Sequence, residues 1–453
     1  MNDLSQNVSR LESLARRYGL DFYPVDFEMT PASFMLEISV YGLPVRMPHW
    51  SFGVRYIHQL IRQHMGHSRI FEVMFPGNPC HAYLVDTNTH PENTLVVAHV
   101  LGHADFSKNN HLFERFHRMS GGAIVEQAAA HAHRIEEALQ EHGAEAVEAV
   151  LDAALSLESH IDIGSELHRE LYPTTVKETI REGTTSFQKR YEELPGEHVH
   201  RDAPKPSRPA VPPHPESDLL WFIAQYGEEL EPWERDIFLA VREESFYFYP
   251  VFACQIMNEG WASYWHARLL READFLPHDD YLSAIKVHSD VVSPFAAEQQ
   301  VALAVNPYHL GFSIWEDIVE KQGLERAREI VREEDDFGFI RNHLDTELAE
   351  KLGLFVWQAK DDGEIKVTGR DINQLRETII APRFNYGAPR IVVSELRPDG
   401  TLVLMHDHRT DGRGLDLDRA GKVLKYVHRV WRRPVRMVTA DSDGRDEILT
   451  TGH

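Results

Sequence analysis

Two histidines four residues apart are the first residues in this chain that could do chemistry. In "VVAHVLGHADF", residues 96–106, His99 and His103 would lie on one face of a helix, with Cβ atoms roughly 5–6 Å apart. Two imidazoles at that separation can bind one metal ion. The apolar neighbours predict a buried helix, in which two hydrogen-bonded core histidines would fit the same spacing. The motif by itself leaves both interpretations open.

A second segment supplies a carboxylate and a third histidine. "CQIMNEGWASYWHARLL", residues 254–270, predicts an apolar helix on which Glu259 and His266, seven residues apart, share a face. A buried glutamate either takes a proton or lies beside a cation, because an isolated buried charge is costly. Two histidines and one carboxylate suit zinc with an open position, or iron. We therefore predict a zinc or iron site at His99, His103 and Glu259, with His266 as a further ligand candidate. The alternative is that Glu259 pairs with an arginine or caps a helix.

The first helix departs from the His-Glu-x-x-His pattern of zinc peptidases. Val100 stands where those enzymes have the glutamate that takes a proton from water, although Glu-Gly-Trp-Ala around Glu259 is similar to the second metal helix of some zincins. Another carboxylate would have to act as the base, or the site does not hydrolyse peptides. The catalytic candidates, each of which could instead be a salt-bridged structural residue, are Asp105, Glu72 and Glu244. His131, on the next predicted helix, is a further candidate to face the same cavity.

Composition narrows the class of protein. The chain has 453 residues and a formal net charge of −24, which repels phosphate backbones and argues against a nucleic-acid partner. Its apolar runs are short and broken by charge, so we expect no membrane span, and the polar N-terminal segment predicts no secretion. The two cysteines, Cys80 and Cys254, cannot build a disulfide framework and fit the cytoplasm.

Four segments are predicted along the chain. Residues 1–194 form a mixed N-terminal part, with β-like runs such as "SFMLEISV" and "HAYLVDT" before the helix of the two histidines. Residues 195–217 contain seven prolines and predict an extended linker or surface loop. Residues 218–353 predict a helical core with the Glu259 helix. Residues 354–453 predict a small α+β domain with two hairpins that turn at Asp-Gly. The fold class is therefore α+β, mainly helical, with zincin-like metal-site helices.

Several strings together resemble one known family, the stage V sporulation protein R (SpoVR) family. The resemblance extends over about residues 8–440 and is carried by "GLPVRMPHWSFG", "AHVLGHADFSKNN", "HAHRIEEAL", "MNEGWASYWH", "NPYHLGFSIWEDI" and "HLDTELAEKLGLF". It implies a role in forming the spore cortex peptidoglycan from the mother-cell cytoplasm. It implies no reaction and no catalytic residues, so the candidate ligands depend on spacing and on the zincin analogy.

Two classes of function remain open at this point. The first is a metal-dependent, hydrolase-like enzyme that lacks the usual glutamate and acts on an amide or a cell-wall precursor. The second is a non-enzymatic scaffold or regulator that binds a partner protein, with a broader role in stress or stationary phase. Loss of bound metal in His99→Ala and Glu259→Ala distinguishes the two.

Overall fold

The computed structural model describes ten ranges of the chain: residues 2–64, 71–120, 123–164, 211–291, 306–355, 357–359, 365–367, 371–412, 414–441 and 443–452. Its contacts divide the chain into two compact units, one of residues 1–148 and 240–388 and one of residues 149–239 and 389–453. Of the predicted linker, residues 195–210 lie outside the described ranges. The division into four segments stays a prediction.

The first unit is mainly helical. Its helices are α1 (Asn2–Arg17), α2 (Ala32–Tyr41), α3 (Trp50–His64), α4 (His90–Asn109), α5 (His111–Ser120), α6 (Ile124–His142), α10 (Gln255–Glu272), α11 (His278–Val291), α12 (Pro307–Gln322), α13 (Leu324–Glu333), α14 (Asp336–His343), α15 (Thr346–Lys351), α16 (Ile372–Ile380) and a 3₁₀ helix (Ala381–Gly387). Two helices, α7 (Ala144–Ser156) and α9 (Pro232–Ala253), contain residues of both units. None of the described helices combines the length and apolar character needed to cross a bilayer.

A three-stranded sheet lies beside these helices, with strands β1 (Val25–Thr30), β2 (Glu72–Phe75) and β3 (Cys80–Val85). β3 is central, pairs in parallel with β1 and pairs antiparallel with β2. Glu72 stands opposite Leu84, near the end of β3, and α4 begins shortly after that strand ends. The sheet therefore brings the start of β2 to the N-terminal side of α4. A separate antiparallel pair is formed by β4 (Trp357–Ala359) and β5 (Ile365–Val367).

Helix α4 is the centre of the core and is buried from Glu92 to Ser107. A capping box fixes its start, since the Thr89 side chain accepts from the backbone N–H of Glu92 and the Glu92 carboxylate accepts from Thr89 N. α10 packs against α4 and α12. The first contact passes through Gly102, where an added Cβ would lie 2.7 Å from Ala262 Cα. Because glycine leaves room for the neighbouring backbone, α4 and α10 approach closely at this point.

The second unit contains a four-stranded mixed sheet in the order β6 (Ile391–Leu396), β7 (Leu402–His406), β8 (Val435–Ala440) and β9 (Asp446–Thr451). β6 and β7 form a hairpin, β7 and β8 are parallel, and β8 and β9 are antiparallel. The unit also contains α8 (Leu219–Tyr226), α17 (His408–Asp411) and α18 (Leu417–Trp431). α18 packs on β8 and β9 and buries Leu424, Val427 and Trp431 on one face.

The predicted fold class, α+β and mainly helical, is confirmed. The β6–β7 hairpin and the strand of "HAYLVDT" are also as predicted, whereas the turn between β4 and β5 lies outside the described residues. One element was predicted wrongly. "SFMLEISV", residues 33–40, lies in helix α2 and not in a strand. Met35 and Ile38 pack there against Phe75 and Val85 of the sheet, so tertiary burial at helical spacing outweighed the local alternation.

Candidate metal centre

The candidate ligands lie on two closely packed helices of the first unit. His99 and His103 stand one turn apart on α4, and Glu259 stands on α10. Both histidines are buried, with relative exposures of 3% and 9%. The close approach at Gly102 sets the distance between the helices, so these three side chains, separated by about 160 residues in sequence, share one small volume.

The three ligand atoms converge. Glu259 Oε2 lies 3.5 Å from Nε2 of His99 and 3.5 Å from Nε2 of His103. All three atoms lie within 4.8 Å of one another, a spacing that could hold a metal ion. Glu259 Oε2 is buried and is one of the oxygens in the described residues that lack a hydrogen-bond partner. A buried carboxylate oxygen left in this state is costly, so its place between two imidazole nitrogens fits a cation.

Glu259 is held in its charged form by its neighbours. Burial alone would raise the pKa of this carboxyl, but the adjacent imidazoles of His99 and His103 outweigh it and lower the pKa below the usual value. A carboxylate that stays ionised in a buried place is available as a metal ligand. The donor set of two imidazoles and one carboxylate matches the composition that zinc and non-haem iron prefer.

Asn258 orients the second histidine, and sequence reasoning missed it. His103 Nδ1 lies 2.8 Å from Asn258 Oδ1. An amide oxygen only accepts, so Nδ1 carries the proton and donates, and the Nε2 lone pair is left facing Glu259. Burial, followed by the neighbouring His99, lowers the pKa of His103, which favours the neutral ring that a metal requires. The only sequence signal was its position next to Glu259.

Glu72 is the base candidate that the fold brings to this group. Its Oε1 lies 3.9 Å from His99 Nε2, and the side chain is 18% exposed. Burial raises the pKa of Glu72 to about 7, with His103 opposing the shift and Glu259 adding to it. β2 supplies this carboxylate from outside the helix pair.

Asp105 lies apart from the converging atoms. It accepts hydrogen bonds from Trp261 Nε1 at 2.8 Å and from the backbone N–H of Asp21 at 2.7 Å. Burial raises the pKa of Asp105 to about 6, against these hydrogen bonds. These contacts join α4 to α10 and to the segment after α1, so the role visible in the structure is structural.

Glu244 and His131 form a different buried group between α6 and α9. Glu244 Oε2 accepts from Arg46 Nε at 2.8 Å, and Glu244 Oε1 lies 3.3 Å from His131 Nδ1. His131 Nε2 lies 3.0 Å from Glu243 Oε2. The expectation that His131 faces the cavity of the two α4 histidines is therefore not met. The cation beside Glu244 is the guanidinium of Arg46, so this group is a salt-bridge network.

His266 lies behind His99. It is fully buried, and its Nδ1 is 2.9 Å from His99 Nδ1, on the far side of that ring from Glu259. Its other nitrogen, Nε2, is 2.5 Å from Nδ1 of His288. Burial, followed by the neighbouring histidines, lowers the pKa of His266, so the ring is neutral. His266 thus contacts a candidate ligand and is not one of the three converging ligands.

Tyr308, in the first turn of α12, is a second neighbour that the sequence did not indicate. Its hydroxyl interacts with the Glu259 carboxylate, and its ring stacks on His99 with centroids 6.2 Å apart. The negative charge of Glu259, followed by burial, raises the pKa of Tyr308 well above its ordinary value. A helix cap positions it, because the Asn306 side chain accepts from Tyr308 N at 3.0 Å and Pro307 begins the helix.

The fold and the site together define an α+β protein with a two-histidine, one-carboxylate group in a helical core. The chain belongs to the SpoVR family, because residues 1–387 match the family model described as "SpoVR like protein". Residues 389–442 match the model described as "SpoVR-like C-terminal domain". The chain is also similar to the Escherichia coli (strain K12) protein named "Uncharacterized protein YcgB", at 27% identity over 490 residues, covering 98% of this chain and 92% of that protein. No solved structure matches the chain.

Proposed function

We propose that this SpoVR-family chain is a cytoplasmic metal-dependent hydrolase whose zinc or iron ion is held by His99, His103 and Glu259. The observation that carries the proposal is the buried Glu259 Oε2, which lies 3.5 Å from each imidazole Nε2 and has no hydrogen-bond partner among the described residues. The substrate class that we propose is an amide of a cell-wall precursor, because the SpoVR resemblance implies work on spore cortex peptidoglycan.

Each neighbouring side chain has a role in this proposal. A zinc or iron ion in this place would supply a Lewis acid and an activated water. Glu72 is the general base, since its carboxylate lies 3.9 Å from His99 Nε2 and can receive a proton and return it to a leaving amine. Asn258 fixes the tautomer of His103, and Tyr308 restrains Glu259 through its hydroxyl.

Metal content tests the proposal directly. Protein purified without chelators should contain about one zinc or iron per chain by plasma mass spectrometry, as one three-ligand site predicts. His99→Ala and Glu259→Ala should each lose most of that metal, because two ligands do not close the site. His343→Ala is the matched control: this partly buried histidine bonds Glu334 at 3.2 Å in the same unit, and its removal should leave the metal content unchanged.

The scaffold alternative makes the opposite prediction. A non-enzymatic regulator would be purified without metal and would keep its partner protein after His99→Ala and Glu259→Ala. Metal-free wild-type protein, with the control variant folded to the same degree, would therefore reject the hydrolase proposal.

A further inference from the structure

Three histidines form a continuous chain that starts at the candidate metal centre. His99 Nδ1 lies 2.9 Å from His266 Nδ1, and His266 Nε2 lies 2.5 Å from His288 Nδ1. The first two rings are buried, and the third is partly buried on α11. Each ring comes from a different helix (α4, α10 and α11), so the three histidines meet only when the unit is folded.

The row of three histidines ends, at His288, beside a large cavity. His288 lines a cavity of about 890 Å³, together with Tyr264, Phe312, Glu316 and Lys351. His99 is on the other side of His266, next to Glu259. The three imidazoles therefore lead from the proposed ligand through the core to a space large enough for solvent.

The hydrogen-bonding capacity of imidazole determines which nitrogen donates in each of these two contacts. A neutral imidazole has one N–H donor and one lone pair. If Nε2 of His99 keeps its lone pair for a metal, Nδ1 of His99 carries the proton and donates to His266 Nδ1. Then Nε2 of His266 carries that ring's proton and donates to His288 Nδ1. One arrangement of protons thus satisfies both contacts and leaves the His99 lone pair facing Glu259 and His103.

The acceptor behind His99 is an unusual one. A metal-bound histidine generally donates its second N–H to a carboxylate, a backbone carbonyl or water. Here the acceptor is the imidazole of His266, which can also act as a donor. It therefore fixes the tautomer of His99 only if a third group fixes the position of its own proton. His288 is that third group, because it faces the remaining nitrogen of His266.

We propose that His266 and His288 are positioning residues that hold His99 in the tautomer and ring orientation required for metal binding. His266 acts on His99 directly, and His288 acts through His266. This inference rests on the proposed metal site and deepens it. It explains why His266, a ligand candidate in the sequence, contacts the ligand candidate His99 and is not among the three converging residues. Neither residue contacts the converging atoms themselves.

Zinc affinity of full-length protein, measured by competition with a chromophoric chelator, tests the proposal. His266→Leu should bind zinc roughly 10–100-fold more weakly, as loss of an outer-shell partner predicts. His288→Leu should weaken zinc binding by a smaller factor, because the His99 contact remains. His266→Asn keeps a hydrogen-bonding group near the Nδ1 position and should recover part of the affinity lost in His266→Leu. His343→Gln, the matched partly buried histidine, should bind zinc like the wild type.

A spectroscopic measurement separates positioning from a purely structural role. With cobalt(II) in place of zinc, the d–d absorption of His266→Leu should shift in energy or intensity, because the His99 ring is free to tilt. The thermal midpoint of each metal-free variant controls for general destabilisation. Lower stability with unchanged zinc affinity and an unchanged cobalt spectrum would overturn the positioning role of His266 and His288 and leave the metal site intact. Absence of zinc binding by the wild type would overturn the metal site itself.

Discussion

At the scale of single residues, the proposed hydrolase would take its base from a strand, because α4 has valine at the position of the zincin glutamate. Val100 occupies the zincin base position and is fully buried in the core cluster. Glu72 reaches the same three-ligand group from β2, 3.9 Å from His99 Nε2. A general base must be a group that lies close to the proposed ligands without being one of them, and a carboxylate in that position meets the requirement. Under the proposed function, the valine in α4 is therefore compatible with hydrolysis.

Glu72→Gln tests this role. The substitution keeps the size of the side chain and removes its basicity, so metal content should match the wild type while the turnover of amide substrates falls roughly 10²–10⁴-fold. Metal analysis and hydrolysis of a panel of peptidoglycan-derived peptides provide the two measurements. Loss of metal in this variant would instead make Glu72 a ligand, and unchanged turnover would exclude it as the base.

At the scale of elements, the distance between α4 and α10 controls the site. Gly102 and Ala262 are in contact where the helices are closest, one residue before His103 and three residues after Glu259. Protein interiors are close-packed, so an added methyl group there must move one helix. The same contact therefore determines both packing and the convergence of the ligands.

Gly102→Ala should lower both stability and metal affinity. Its Cβ would lie 2.7 Å from Ala262 Cα, and overpacking of this kind costs about 1–3 kcal/mol of unfolding free energy. Urea denaturation and zinc competition measure the two effects. The control is Gly53→Ala on α3, where an added Cβ meets no atom within 4 Å. That change should raise stability by about 0.5–1 kcal/mol, since alanine favours a helix. Equal results for both variants would contradict the close-contact argument.

At the scale of the whole molecule, the network of His131, Glu243 and Glu244 links stability to pH. Burial alone would lower the pKa of His131, but hydrogen bonds to Glu243 and Glu244 raise it to about 9. The folded state thus binds this proton more tightly than the unfolded state, whose histidine pKa is about 6.5. The resulting stabilisation is complete below pH 6.5 and is lost as the pH rises towards 9.

His131→Gln should remove this part of the pH dependence. The difference in unfolding free energy between wild type and variant should be about 1–3 kcal/mol at pH 6 and should shrink by pH 9.5. Urea denaturation of both proteins across this range provides the measurement. A difference that stays constant with pH would show that His131 is not protonated in the folded protein.

The sequence by itself determined helices α4 and α10, the α+β class and the spacing of His99 and His103, because these depend on interactions between residues close in the chain. It also indicated Glu259, since a glutamate in an apolar helix needs a cation. Only the tertiary structure decided which distant side chains join them. Glu72, Asn258 and Tyr308 come to the site, whereas His131 and Glu244 go to another network. Those choices depend on helix–helix contacts such as Gly102 against Ala262, and no local pattern in the chain encodes which partner a buried side chain will meet.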